Sequence, residues 1–224
     1  MVHPGRTWWH RGVPYSPAEL FWDGAVHLVG LALTIGIGAV LVALVGFGTD
    51  PSDLPMICVY VGSLAITLGV SMAFNLAPVN TAKRVLARLD QAGIFLLIAG
   101  TYTPVLAALN GTTLGNLMLV AVWATALVGI ALKLLVPDRF GRLALLLYLG
   151  LGWSGIIVFQ TLASTLPNST LWLLVAGGVA YSSGIIFHLW ERLYFHNVLW
   201  HCFVVAGAGL HLWAILDGVL LRAF

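Results

Sequence analysis

The chain has 224 residues, 60% of them hydrophobic and only 8% charged, with a mean hydropathy of +1.00. A soluble domain carries about 25% Asp, Glu, Lys and Arg, so the polar coat of a soluble enzyme, a nucleic-acid binder or a disordered chain is missing. The net charge of +2 is too small to argue for an anionic partner. This composition belongs to a membrane protein.

Gaps between charged residues count the spans, because about 20 apolar residues cross the hydrocarbon core. There are 26 uncharged residues between Asp23 and Asp50, 29 between Asp53 and Lys83, and 24 between Arg192 and Asp217. Each gap fits one helix. The 42 residues between Asp90 and Lys133 are too many for one crossing and break at the turn signal Asn110-Gly111-Thr112-Thr113. The 48 residues between Arg142 and Glu191 break at Leu166-Pro167-Asn168-Ser169-Thr170. The expectation is an all-α bundle of seven transmembrane helices at 24–48, 54–77, 91–109, 114–136, 143–163, 170–190 and 198–221. These segments are apolar all round, unlike the striped helices of a soluble bundle. Residues 1–19 read as a short cytoplasmic segment and 20–224 as the membrane domain. The first apolar run is too long for a signal peptide and follows acidic Glu19 and Asp23, so a retained helix is expected.

Lys and Arg in short loops set orientation. Arg6, Arg11, Lys83, Arg84, Arg88, Lys133, Arg139, Arg142 and Arg192 fall on one side, and only Arg222 on the other. Nine against one places the N-terminus in the cytoplasm and the C-terminus outside, the reverse of G-protein-coupled receptors. Trp22, Trp172 and Trp190 fall near predicted helix ends, where the headgroup layer suits their rings. Cys58 and Cys202 lie about a bilayer apart, too far for a mutual disulfide, and read as small buried residues.

Polar side chains in membrane helices are costly and therefore informative. Glu19, Asp23 and His27 follow one another at i, i+4 and i+8, along one stripe of the first helix. Ser71 and Asn75 end the second helix, Asp90 and Gln91 open the third, and His188 and Glu191 end the sixth. His196, Asn197 and His201 open the seventh. Five helices thus bring polar groups to the cytoplasmic half, while the outer half offers Gln160, His211 and Asp217. Near the helix ends, Glu19, Glu191 and His196 read as solvated at the interface. Asp, His, Ser and Asn together suit a zinc site with an activated water, but no single helix carries H-x-x-x-H or H-E-x-x-H.

Taken in order, these positions resemble the hemolysin III family, the bacterial branch related to the progestin and adiponectin receptors. The resemblance is carried by E-x-x-x-D-x-x-x-H at Glu19, Asp23 and His27, S-x-x-x-N at Ser71 and Asn75, and RLDQAGIFLLIAGTYTP from Arg88 to Pro104. GGVAYSSG from Gly177 to Gly184 and NVLWHCFVVAGAGLH from Asn197 to His211 complete it. It runs from about Tyr15 to the end. The resemblance implies a multi-pass protein of the bacterial cytoplasmic (inner) membrane with a cytoplasmic-side zinc site. One ligand comes from helix 2 and two from the start of helix 7, with a serine and an aspartate beside the zinc-bound water. Carried over, the serine is Ser71, the aspartate Asp90 and one ligand His201. The other two ligand positions hold Asn75 and Asn197, whose neutral amides are poor zinc ligands beside imidazole. Zinc is therefore doubtful at the usual positions. Asp90 and His27 are the available substitutes, and His196 points about 100° away from Asn197. A hydrogen-bonded Asp90–His201–Asn network is the metal-free alternative.

Pro104 in Thr101-Tyr102-Thr103-Pro104 predicts a kink in helix 3, with Thr hydroxyls serving the freed carbonyls. Glycines 30, 36, 38, 177, 178, 184, 207 and 209 predict close helix packing. Three functions follow as expectations. The first is a polar chamber serving membrane lipid homeostasis or signalling, with membrane lipids and a small lipid ligand as partners. The second is a metal-dependent hydrolase of a lipid amide or ester, with Ser71 and Asp90 catalytic. The third is a cytolytic pore or channel.

Overall fold

The computed structural model describes residues 15–48, 53–136 and 141–223. Arg6, Arg11, Asp50 and Arg139 lie outside these residues, as do the side chains of Arg142 and Arg222. The described chain is helical, with α1 at Pro17–Phe47, α2 at Leu54–Leu76, α3 at Thr81–Ala107 and α4 at Thr113–Leu135. Next come α5 at Gly141–Trp153, a 3-10 turn at Ser154–Val158, α6 at Phe159–Ala163, α7 at Asn168–Leu189 and α8 at His196–Ala223. Seven stretches are long and apolar enough to cross a membrane, with α5 to α6 counting as one. Phe21, Leu28, Ile35, Val120, Leu146 and Ile186 are among the large apolar side chains left exposed on the bundle, as lipid-facing surfaces require.

Several helices start earlier than the charge gaps imply. Helix α1 begins at Pro17 because Ser16 caps it. The Ser16 hydroxyl accepts from the Glu19 backbone N–H at 3.2 Å, and the Glu19 carboxylate accepts from the Ser16 N–H at 2.8 Å, a reciprocal capping box. Helix α3 begins at Thr81 because the Asn80 side chain accepts from the Lys83 N–H at 3.0 Å. Lys83 is therefore not a loop cation. It is buried, and its ammonium donates to the carbonyls of Asn75 (3.3 Å) and Ala77 (2.8 Å) at the end of α2. A cation there satisfies carbonyls that the helix leaves unpaired.

The fifth span is not one continuous α-helix. At its 3-10 turn the Tyr102 hydroxyl accepts from the Gly155 N–H at 2.6 Å and from Ser154 Oγ at 3.2 Å, and donates to the Gly152 carbonyl at 2.9 Å. A tyrosine of α3 thus supplies partners to backbone that the α-ladder has released. Beside it, α3 stays helical through Pro104. The hydroxyls of Thr101 and Thr103 bond the carbonyls of Leu97 and Ala99, both at 2.8 Å. Neither serves Gly100, whose carbonyl is the one proline strips of its partner.

Helix α1 packs on α2 and α8, α2 on α3, α3 on α4, and α7 on α8, while α5 touches α3, α4 and α7. The helices therefore form a closed ring, with α3 the most enclosed. One apolar cluster joins α3, α4, α5 and α7 around Phe95, Tyr102, Val122 and Leu151. The other joins α1, α2 and α8 around Leu41, Tyr60, Leu64 and Leu212. Gly177 permits the α7–α8 contact, since a Cβ there would strike the His211 ring, whose Nε2 donates to the Leu174 carbonyl at 3.1 Å. Gly36 and Gly209, by contrast, face open space and do not mediate helix contact. Cys58 and Cys202 are free, as expected, but exposed rather than buried.

Candidate functional site

The site lies at the end of the bundle where α1, α3 and α8 begin and α2 ends. The four-residue repeat of α1 puts Glu19, Asp23 and His27 on its inward face, at 3%, 2% and 0% exposure. Helix α2 turns Ser71 and Asn75 toward them, and α8 adds Asn197 and His201. Asn75 and His201 are buried, Asn197 half-buried.

Asp23 is the centre of the group. Its Oδ1 accepts from His201 Nδ1 at 2.6 Å and from the Asn197 amide at 3.2 Å. Its Oδ2 lies 3.4 Å from His27 Nδ1. His27 Nδ1 also donates to the Asp23 backbone carbonyl at 2.8 Å. The His27 and His201 rings meet edge to face with centroids 4.3 Å apart. The other nitrogen of His201, Nε2, faces the Ser71 hydroxyl at 3.5 Å.

The two asparagines bond each other. The Asn197 amide donates to Asn75 Oδ1 at 3.0 Å, and the Asn75 amide donates to the Ser71 carbonyl at 2.9 Å. Asp90 of α3 is half-buried on the same side, with its carboxylate near the Ser71 hydroxyl. The sequence suggested a network centred on Asp90, whereas the observed one is centred on Asp23. The reason is geometric: α1 packs directly on α8, but α3 barely touches it.

Glu19 and His196, expected at a solvated interface, are both buried. Glu19 earns its place by capping α1 and by accepting from the Phe195 N–H at 3.4 Å. Ser16 Oγ and the Tyr194 hydroxyl are 2.9 Å apart. Together they tie the start of α1 to the turn before α8, where Phe195 takes a positive φ of 64°. Glu191 and His188 are exposed, as is Gln160. Asp217, at the opposite end, accepts from the hydroxyls of Ser169 (2.7 Å) and Thr170 (2.6 Å).

These features define a class: a seven-helix membrane protein with a buried carboxylate–imidazole–hydroxyl site at one end. A family model described as "Haemolysin-III related" matches residues 21–212. The chain belongs to the hemolysin III family. It is 35% identical over 203 residues to "Hemolysin-3 homolog" of Bacillus subtilis (strain 168), covering 90% of this chain and 95% of that protein. It is 40% identical over 132 residues to "Hemolysin-3" of Bacillus cereus, covering 59% of this chain and 60% of that protein. A more distant relative is the human "Monocyte to macrophage differentiation factor", 28% identical over 127 residues, or 56% and 52% of the two chains.

The zinc site that the resemblance implies does not fit its usual positions. A three-imidazole set needs nitrogen donors at positions 75 and 197. Asn75 and Asn197 instead spend an amide oxygen and an amide N–H on each other. That leaves His201 as the single imidazole of the set.

Proposed function

We propose that this protein hydrolyses an amide or ester bond of a membrane lipid, and so serves membrane lipid homeostasis from the cytoplasmic face of the bacterial inner membrane. The observation that carries the reading is the gathering of Asp23, His27, Ser71, Asp90 and His201 at one end of an otherwise apolar bundle. Burying such groups in a membrane costs free energy that packing alone does not require, so function is the default explanation. Hydrolysis needs an oriented nucleophilic water and a base. Asp90 is the base, Ser71 holds the water through its hydroxyl, and Asp23 fixes the His201 ring beside them. The chemistry a divalent ion supplies when bound is polarisation of the carbonyl and acidification of water. The excess of Lys and Arg that the sequence assigns to the loops of one side supports the cytoplasmic placement, with exposed Arg84 and Arg192 at this end of the bundle.

The test is turnover of defined lipid amides and esters by the full chain in dye-loaded liposomes, with released fatty acid measured by mass spectrometry. Ser71→Ala and Asp90→Asn should each lower kcat by about 10²- to 10⁴-fold while elution and unfolding stay unchanged. Turnover that survives both substitutions would overturn the reading. Dye leakage without any lipid turnover would overturn it in favour of a pore.

A further inference from the structure

We propose that Asp23, His27 and His201 form a divalent-metal site of the zinc type, with the ligand set moved from α2 to α1. Each residue offers one ligand atom, and the three atoms lie within 4.8 Å of one another. All three residues are buried, at 2%, 0% and 5% exposure. Zinc bonds of about 2.0–2.2 Å bring tetrahedral ligand atoms to roughly 3.5 Å separation, a closure that side-chain rotation can deliver.

A second observation points the same way. Asp23 Oδ2 and His27 Nε2 are fully buried and have no hydrogen-bond partner. The bond from His27 Nδ1 to the Asp23 backbone carbonyl can only be donated by the ring, because a carbonyl accepts. In the neutral ring Nε2 therefore carries a lone pair. A carboxylate oxygen with only the 3.4 Å approach of His27 Nδ1, and an imidazole lone pair, are two buried acceptors without a hydrogen bond and suited to one cation. Buried polar atoms are ordinarily paired, and in a membrane the cost of leaving them unpaired rises. Locking the tautomer through Nδ1 is also how metal-binding histidines are held.

The donor set is two imidazoles and one carboxylate, the composition of catalytic zinc sites that keep one position open. Ser71, 3.5 Å from His201, and Asp90 beside it occupy the neighbouring ground. Asn75 and Asn197 are then not failed ligands. Their mutual bond, and that of Asn197 to Asp23 Oδ1, position the carboxylate with Oδ2 left over.

The proposal rests on the hydrolytic reading for the ion's use, but its binding is measured without substrate. Full-length protein purified in detergent, loaded with zinc sulfate and dialysed against metal-free buffer, is analysed for metal. Wild type should hold about one zinc per chain. Asp23→Asn, His27→Gln and His201→Gln should each reduce that at least fivefold, while Asn75→Ala and Asn197→Ala keep most of it. Added zinc should raise the unfolding temperature of wild type, since an ion that binds only the folded state stabilises it, and not that of His27→Gln. Wild type without zinc, or full zinc in His27→Gln, would overturn the proposal. Loss in Asn75→Ala equal to that in His27→Gln would return the ion to the usual positions and overturn it too. Zinc uptake without lipid turnover supports the site and sinks the hydrolytic reading alone.

Discussion

Replacing Tyr102 by Phe tests how the broken fifth span is held. The substitution keeps the ring in its apolar cluster and removes one oxygen that makes three hydrogen bonds. Ser154 keeps a partner, because its hydroxyl also donates to the Leu151 carbonyl at 2.7 Å. The Gly155 N–H and Gly152 carbonyl lose the oxygen that serves them. Interhelical hydrogen bonds in membranes average only about 0.6 kcal/mol, because the separated helices find other partners. A backbone N–H released by a 3-10 turn has fewer such options, and an unsatisfied buried group costs about 1–3 kcal/mol. Tyr102→Phe should therefore cost roughly 2–3 kcal/mol. Tyr148→Phe is the internal control, since Tyr148 makes one bond, at 2.8 Å to the Gln91 carbonyl, and should cost about 1 kcal/mol or less. Both are read by equilibrium unfolding in mixed micelles. Equal costs for the two variants would refute the assignment of Tyr102 as the support of the break.

Three other substitutions probe different parts of the fold. Lys83→Met keeps the stem but strips the end of α2 of its cation, and should lower stability by about 1–2 kcal/mol; an unchanged unfolding midpoint would show that the end carbonyls of α2 do not need it. Ser16→Ala breaks one half of the capping box and should cost about 1 kcal/mol, seen as faster amide exchange in the first turn of α1. Gly177→Val drives a side chain into His211 and should cost about 2–4 kcal/mol through overpacking; a stable variant by thermal unfolding would mean that α7 and α8 can separate.

Charge gaps made the number of helices legible because a long uncharged run has few alternatives to a span. They hid the helix starts, since Glu19, Asp23 and Lys83 sit inside helices, each satisfied by a cap or a buried partner. The break after Trp153 was hidden as well: Leu-Gly-Trp-Ser-Gly reads as ordinary apolar span, and the stabilising oxygen comes from another helix. At the site, the i, i+4 pairs Asp23–His27, Ser71–Asn75 and Asn197–His201 showed which side chains share a face. Which faces meet depends on helix rotation, a property of the whole ring. The sequence therefore paired His201 with Asp90, and packing paired it with Asp23.

Synthesis order gives the contact between α1 and α8 a further meaning. Asp23, His27, Ser71 and Asp90 enter the membrane with the first three spans, and His201 arrives with the last. Until α8 is inserted, the Asp23 carboxylate lacks both side chains that donate to it from that helix. A chain stalled after α7 would hold the Asp23 carboxylate inside lipid with only His27 of its own helix, 3.4 Å from Oδ2, beside it. The final helix therefore completes the site by bringing both donors that reach Asp23 Oδ1, so the first and last spans must meet before that oxygen of the buried acid is satisfied.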